Sequence, residues 1–209
     1  MLFIVMSSDN KYLFPVTSNI NNLQIDDVGK YSISKPDDAN VITRLIKKEL
    51  YNNKITKNII ITDATAGVGG NTISFCDNFF KVNAIEINKI RFNYLKNNLI
   101  VYDYHNFDLF NTDMLSKIFE LKQDIIFIDP PWGGKGYTKH KNLNLFINDK
   151  EISEISKEIL DKNICSFLVL KLPYNYKLDK LSILNKYYIT NYLIRKKILL
   201  VIIYNSSIK

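Results

Sequence analysis

The segment Asp129-Pro130-Pro131-Trp132-Gly133-Gly134 follows directly on an apolar run, Ile126-Phe127-Ile128. An acceptor oxygen, two stiff prolines and a flat ring in that order can hold an exocyclic aryl amine. Such an amine is a poor nucleophile because its lone pair is delocalised into the ring. Two acceptors, each taking one N–H, hold the nitrogen and favour its rehybridisation. Asp129 supplies a side-chain oxygen and Pro130 a backbone carbonyl. Proline has no N–H, and its ring stiffens the loop so that the acceptors are preorganised. Trp132 offers a face on which a base can stack. Taken alone, Pro-Pro-Trp also reads as a rigid turn above a core tryptophan.

A second constellation lies upstream, in Asp63-Ala64-Thr65-Ala66-Gly67-Val68-Gly69-Gly70-Asn71-Thr72. Glycines between a strand and a helix let the backbone approach a ligand. A dinucleotide loop of the Gly-x-Gly-x-x-Gly kind fits poorly, because the sixth position from Gly67 is Thr72. A nucleotide-hydrolase phosphate loop is excluded, since no Gly-Lys-Ser/Thr follows. There remain an acid at a strand end, spaced glycines, and a second acid, Glu86, in Ala84-Ile85-Glu86-Ile87-Asn88. A carboxylate there can accept both hydroxyls of a ribose. Asp63, nearer the helix start, can order the loop and meet an ammonium group. Asp113, in Asn111-Thr112-Asp113-Met114, is a third acid of this kind, and it is equally a helix N-cap.

These residues need a frame of alternating strands and helices, and the pattern supplies one. A polar-aromatic arm, residues 1–36, ends in Tyr31-Ser32-Ile33-Ser34-Lys35-Pro36, and a domain of residues 37–209 follows. Pro36, Asp37 and Asp38 suit a first helical turn, with Val41, Ile42, Leu45, Ile46 and Leu50 at helical spacing. Strands are expected at 58–62, 81–85, 105–110, 124–128, 165–172, 187–194 and 197–204. Helices are expected at 70–78, 89–102, 114–121 and 151–161. Apolar strands separated by helices predict an α/β fold whose mostly parallel sheet is covered on both faces. The last two strands are joined only by a tight turn at Arg195-Lys196, so they form an antiparallel C-terminal hairpin. A seven-stranded sheet is expected.

The 209 residues suit one domain with a substantial core, and the 46% hydrophobic and 23% charged content is that of an ordinary globular chain. No apolar run approaches a membrane span, and the opening Met1–Met6 stretch lacks a basic leader. Cys76 and Cys165 are far apart, which excludes a disulfide scaffold or zinc site; both are expected as buried thiols, with no metal. The chain is expected to be soluble and intracellular. Its net charge of +7 favours a polyanionic partner such as nucleic acid. However, 25 Lys, 25 Asn and 31 Ile also match A/T-rich coding, so charge alone does not identify the partner.

The acid–glycine–acid set resembles the class I S-adenosylmethionine-dependent methyltransferases, which implies a Rossmann-like fold with S-adenosyl-L-methionine as cofactor. It also implies that Asp113 reaches the adenine amine. The Asp-Pro-Pro-aromatic tetrad resembles the motif of enzymes that methylate exocyclic amines. In messenger-RNA adenine-N6 enzymes the chain order is permuted, whereas here the glycine loop comes first. Bacterial ribosomal-RNA guanine-N2 enzymes share the order but commonly carry Tyr or Phe at the Trp132 position.

The two glycine-containing strings, with Tyr137 just after the second, are similar to those of the trimethylguanosine synthases, the cap guanine-N2 methyltransferases. The arm motif ending in Pro36 and the segment Leu95-Lys96-Asn97-Asn98…Val101-Tyr102 resemble that family too. The resemblance implies that Trp132 stacks on 7-methylguanine and that capped RNA is the partner, with the protein a monomer. It implies a cofactor site of Ser34, Asp63, Ala64, Thr65, Gly67, Gly69, Asn71, Thr72, Glu86, Ile87, Asp113, Met114 and Asp129. Asp129, Pro130 and Trp132 would be catalytic, and Trp132, Tyr137, Lys135, Lys171 and Asn175 would meet substrate. The departure is at Leu172-Pro173-Tyr174-Asn175, where the family tends to carry an Arg, in place of Tyr174, that meets the cap phosphates. Lys171, Lys135, Lys139, His140 and Lys141 are the replacement candidates. Methyl transfer to an amine is an in-line displacement that needs no general base, so His105 and His140 need no catalytic role. Two other readings stay open: another exocyclic-amine methyltransferase (guanine-N2 or adenine-N6) on RNA or DNA, and a non-catalytic RNA-binding subunit.

Overall fold

The computed structural model describes residues 8–205. A short helix, α1 (Asp27–Ser32), and a 17-residue helix, α2 (Pro36–Asn52), precede an alternation of strands and helices. Its members are β1 (Ile60–Asp63), α3 (Gly70–Cys76), β2 (Lys81–Ile85), α4 (Lys89–Val101), β3 (Phe107–Phe110), α5 (Met114–Lys117) and β4 (Ile125–Ile128). After β4 come a two-residue hairpin, β5 (Phe146–Ile147) and β6 (Lys150–Glu151), then α6 (Ile152–Asp161) and β7 (Phe167–Pro173). The chain ends with β8 (Tyr188–Ile194) and β9 (Ile198–Tyr204). Seven strands form one sheet in the order β3-β2-β1-β4-β7-β9-β8. All pairs are parallel except those of β9 with β7 and β8. The fold is therefore the expected Rossmann-like one, hairpin included.

The apolar runs divide by alternation, as the two-residue period of a strand requires. Phe127, Phe167, Val169, Leu200 and Ile202 pack on one face with Ile42, Ile46, Phe75, Leu95 and Leu99 of α2–α4. Ile126, Ile128, Leu168, Leu170, Val201 and Ile203 pack on the other with Met114, Ile118, Ile155 and Ile159 around α5 and α6. The strand order reverses between β1 and β4: the chain leaves β1 toward β2, and β4 lies on the opposite side. Ligands of open α/β sheets bind in the crevice at the carboxyl ends of such strands. Asp63 ends β1, and Asp129 follows β4.

Residues 13–25 are part of the same core. Leu13, Phe14, Leu23 and Ile25 are buried among the residues that cover the first face. The buried Asn98 side chain accepts from Gln24 N–H (2.7 Å) and donates to the carbonyls of Gln24 and Val68 (both 2.9 Å). It thereby ties the arm to the glycine loop.

Several boundaries differ from expectation. The first strand starts at Ile60 because Asn58 sits at φ +53°. α5 stops at Lys117, and the Gln123 amide donates back to the Ile118 carbonyl (2.6 Å), turning the chain into β4. β7 runs from Phe167, which leaves Cys165 only partly buried. The β5–β6 hairpin turns on Asn148 and Asp149, both at positive φ, and its strands are too short to leave a periodic signal. No helix among the described residues is long and apolar enough to cross a membrane.

Candidate active site

β1 delivers Asp63 to a fully enclosed position, 1% exposed. Its Oδ2 accepts from the Thr72 hydroxyl (2.7 Å) in α3, while its Oδ1 is buried without a hydrogen-bond partner. Burial pushes this carboxyl up to about 7, against the pull of Thr72 and Lys171. Asn71, also buried, likewise has an unpartnered Oδ1. Such orphaned acceptors are uncommon and call for a donor from a ligand. Between them the loop turns through Gly67 (φ +58°) and Gly69 (φ +106°), conformations that glycine adopts at no steric cost. Gly70 is required for another reason. A Cβ there would lie 2.7 Å from the Ser34 carbonyl oxygen, because the arm crosses the start of α3.

Glu86, after β2, holds this loop. Its Oε2 accepts from Gly67 N–H (2.9 Å) and its Oε1 from Asn88 N–H (2.8 Å), with Arg91 Nε 3.5 Å from Oε1. Each carboxylate oxygen has two acceptor sites, so further acceptor capacity remains. Beyond it, Ile87 is 62% exposed, whereas Met114 is buried in the core. Asp113 is the N-cap of α5: Oδ1 accepts from Leu115 N–H (3.0 Å), and Oδ2 from the Asn148 amide (2.8 Å) in the β5–β6 turn. Ala64 is buried at the β1 end, and Thr65 Oγ1 accepts from Asp129 N–H (2.8 Å), joining the glycine loop to the loop after β4.

In that second loop Pro130 is buried and Asp129 is 16% exposed at its side chain. Asp129 Oδ2 is ion-paired with Lys171 Nζ at 2.5 Å. Burial drives the Asp129 carboxyl upward, and the Lys171 ammonium opposes it. Lys171 also donates to Ser34 Oγ (2.7 Å) and lies 5.3 Å from the centre of the Trp132 ring. The Trp132 indole N–H donates to the Lys171 carbonyl (3.3 Å), and Tyr137 meets the ring edge-on at 5.1 Å. Asn175 donates to the carbonyls of Tyr137 (2.9 Å) and His140 (2.7 Å), pinning the loop, while its buried Oδ1 has no partner.

The structure thus gathers Ser34, Asp63, Thr72, Asp129, Trp132 and Lys171 around the carboxyl ends of the central strands β1, β4 and β7, with Glu86 beside the glycine loop. It corrects one expectation. Lys171 is not a free phosphate ligand: it is buried on β7 and committed to Asp129 and Ser34. Lys139, His140 and Lys141 are exposed, as is Tyr174 at 47%. The side chain of Lys135 lies outside what the structure describes. Sequence reasoning gave no positioning role to Asn98, quoted only within a family-like segment, or to Arg91. A buried amide in mid-helix and a cation in the first turn of α4 show that role only once the arm and Glu86 are seen beside them.

A family model described as RNA cap guanine-N2 methyltransferase matches residues 57–205. Uncharacterized protein L320 of Acanthamoeba polyphaga mimivirus is 36% identical over 186 residues, 79% of this chain and 73% of that protein. A Porphyromonas gingivalis W83 chain designated a methyltransferase superposes with TM-score 0.63 at 16% identity. That match covers 88% of this chain, which spans 44% of the P. gingivalis chain. The human methyltransferase 10 domain containing protein superposes with TM-score 0.61 at 14% identity, covering 88% of this chain and 89% of that one. At these identities the structural likeness concerns the fold.

Proposed function

The chain belongs to the RNA cap guanine-N2 methyltransferase family, and we propose on that premise that it methylates the exocyclic N2 of 7-methylguanosine at an RNA cap, as trimethylguanosine synthases do. One observation carries the reading: Asp129 and the Pro130 carbonyl stand beside Trp132 at the β1/β4 switch point, next to a buried acid with an unpartnered oxygen.

The residues present fit S-adenosyl-L-methionine. Asp63 and Asn71 offer buried acceptors without donors, as an ammonium group requires. Glu86, fixed by two N–H bonds, keeps acceptor capacity for ribose hydroxyls. Ile87 offers exposed apolar surface and Asp113 a carboxylate at the adenine end. Bound there, the cofactor supplies an electrophilic methyl group on a sulfonium.

The chain's own residues orient the acceptor nitrogen. Asp129 and the Pro130 carbonyl each take one N–H of N2, turning its lone pair toward the donor. Because Thr65 holds the Asp129 backbone (2.8 Å), the acceptors do not need to reorganise. The alkylated nitrogen is acidic and releases its proton to solvent. Trp132 stacks on the base, and the charge of 7-methylguanine adds ~0.5–2 kcal/mol over neutral stacking. With Lys171 committed elsewhere, cap phosphates fall to the exposed Lys139, His140 and Lys141. The acting species is a monomer with capped RNA as its partner.

The test is a substrate panel with labelled cofactor: m7GTP, GTP, capped RNA and uncapped RNA. Label should enter m7GTP and capped RNA and stay at background in GTP. Equal labelling of GTP and m7GTP, or labelling of adenine in uncapped nucleic acid, would defeat the cap reading.

A further inference from the structure

The amine-holding acid of the proposed site is not alone. Asp129 Oδ2, Lys171 Nζ and Ser34 Oγ form a continuous buried chain, with the ammonium also over Trp132. Three segments distant in sequence meet in it: the arm, the loop after β4, and β7. Lys171 occupies a position in β7 where the neighbouring residues are apolar, and its side chain is 6% exposed. A buried lysine loses its hydration, and a nearby carboxylate is what compensates it. Accepting an N–H does not by itself require a buried cation beside the acceptor, since a neutral Asn oxygen also accepts. The lysine therefore does something to Asp129 that the acceptor role alone does not demand.

We propose that Lys171 is a positioning residue of the methyl-transfer site, which holds Asp129 as a carboxylate turned toward the base pocket and couples that state to docking of the arm through Ser34. The proposal rests on the amine-holding role given to Asp129 above. Among the described residues, the titratable groups beside Asp129 are Asp63 from β1 and Lys171 from β7, and the arm reaches it through the Ser34 hydroxyl on Lys171. Its own loop contributes the indole of Trp132, and α3 the Thr72 hydroxyl on Asp63. Burial favours a neutral Asp129, and the Lys171 ammonium is the cation in this group that opposes it. Protonation would put a hydrogen on one carboxyl oxygen and leave a poorer acceptor for N2.

The test follows Asp129 directly, by the carboxyl 13C shift in selectively labelled full-length protein without substrate. Asp129 should titrate at higher pH in Lys171→Met than in wild type, and Lys171→Arg should restore the wild-type midpoint. Ser34→Ala should move it in the same direction by less. In turnover, Lys171→Met should lose about tenfold per pH unit below its new midpoint, mainly in kcat. The double variant Lys171→Met/Asp129→Asn, which removes the unpaired buried charge, should fold and lose that acid limb. An Asp129 midpoint unchanged by Lys171→Met, or a pH profile unchanged in both variants, would overturn the proposal. A shifted midpoint with no activity on 7-methylguanosine would leave it standing while defeating the substrate reading.

Discussion

Gly70→Ala probes the contact that seats the arm over the cofactor loop. A Cβ at this position would stand 2.7 Å from Ser34 O, 2.9 Å from Ser34 N and 2.7 Å from Ile33 Cγ1. Ordinary contact begins near 3.4 Å, so the Ser34 backbone must retreat by about 0.5–0.7 Å. Backbone cannot rotate aside as a side-chain tip can, and such overpacking costs ~1–3 kcal/mol. Alanine in place of glycine at a helix start returns up to ~1 kcal/mol of helix preference, leaving a net loss of up to ~2 kcal/mol at full return. For a chain of this size that lowers Tm by up to ~8 °C. The retreat also stretches the 2.7 Å bond from Lys171 to Ser34. Gly67→Ala is the control, because nothing lies within 4 Å of its Cβ. Its cost is the ~1–2 kcal/mol of a left-handed backbone, without displacement of the arm. Thermal unfolding measures the stability of both variants, and amide exchange at residues 33–35 reads the arm. Exchange there should accelerate in Gly70→Ala and stay unchanged in Gly67→Ala. Wild-type stability and exchange in Gly70→Ala would refute the close-packing argument.

Asp63 makes stability fall as pH rises. Its carboxyl is raised from 3.8 to about 7 on folding, so between those values the native state holds a proton that the unfolded chain has released. The loss amounts to up to about 4 kcal/mol by pH 7, and Asp63→Asn should flatten the urea-unfolding profile across that interval. Asn98→Ala leaves Gln24 N–H and the Gln24 and Val68 carbonyls unpaired; calorimetry should show a loss of ~2–4 kcal/mol in stability and weaker cofactor binding. Trp132→Ala should weaken m7GTP binding by ~1–3 kcal/mol, with Trp132→Phe intermediate in fluorescence titration; equal affinities would remove the stacking role.

Most of the frame was legible because it is written in local patterns. Seven apolar runs of strand length, Pro36 with Asp37 and Asp38 at a helix start, and the short Arg195-Lys196 link each specify one element. That link turns with both residues at positive φ, and Arg195 pairs with Asp37 (3.0 Å) and Asp38 (2.8 Å), a contact between chain ends that no window reveals. The arm was read as polar because its buried residues, Leu13, Phe14, Leu23 and Ile25, are scattered without a period. Lys171 stands among the phosphate candidates for a related reason. Sequence shows a cation near the end of an apolar strand, but which acid it meets depends on the pairing of β4 with β7.

The acids were the hardest to read singly, because in each the structural contacts leave lone pairs over. Asp113 caps α5 through Oδ1, as the plainer reading expects, and its Oδ2 is held by Asn148. Glu86 spends one acceptor site of each oxygen on loop N–H groups. A carboxylate so fixed cannot rotate, and a fixed acceptor loses less entropy when a hydroxyl arrives. Capping at these positions therefore leaves preorganised acceptors. Asp63 differs from both. It has one oxygen on Thr72 and one on nothing, inside a site with no water-facing side to repay the loss. An unpaired buried oxygen is destabilising unless something cationic or N–H-bearing completes it. The Asp63 oxygen that the fold leaves unpaired is thus the acceptor best placed for a cationic ligand group.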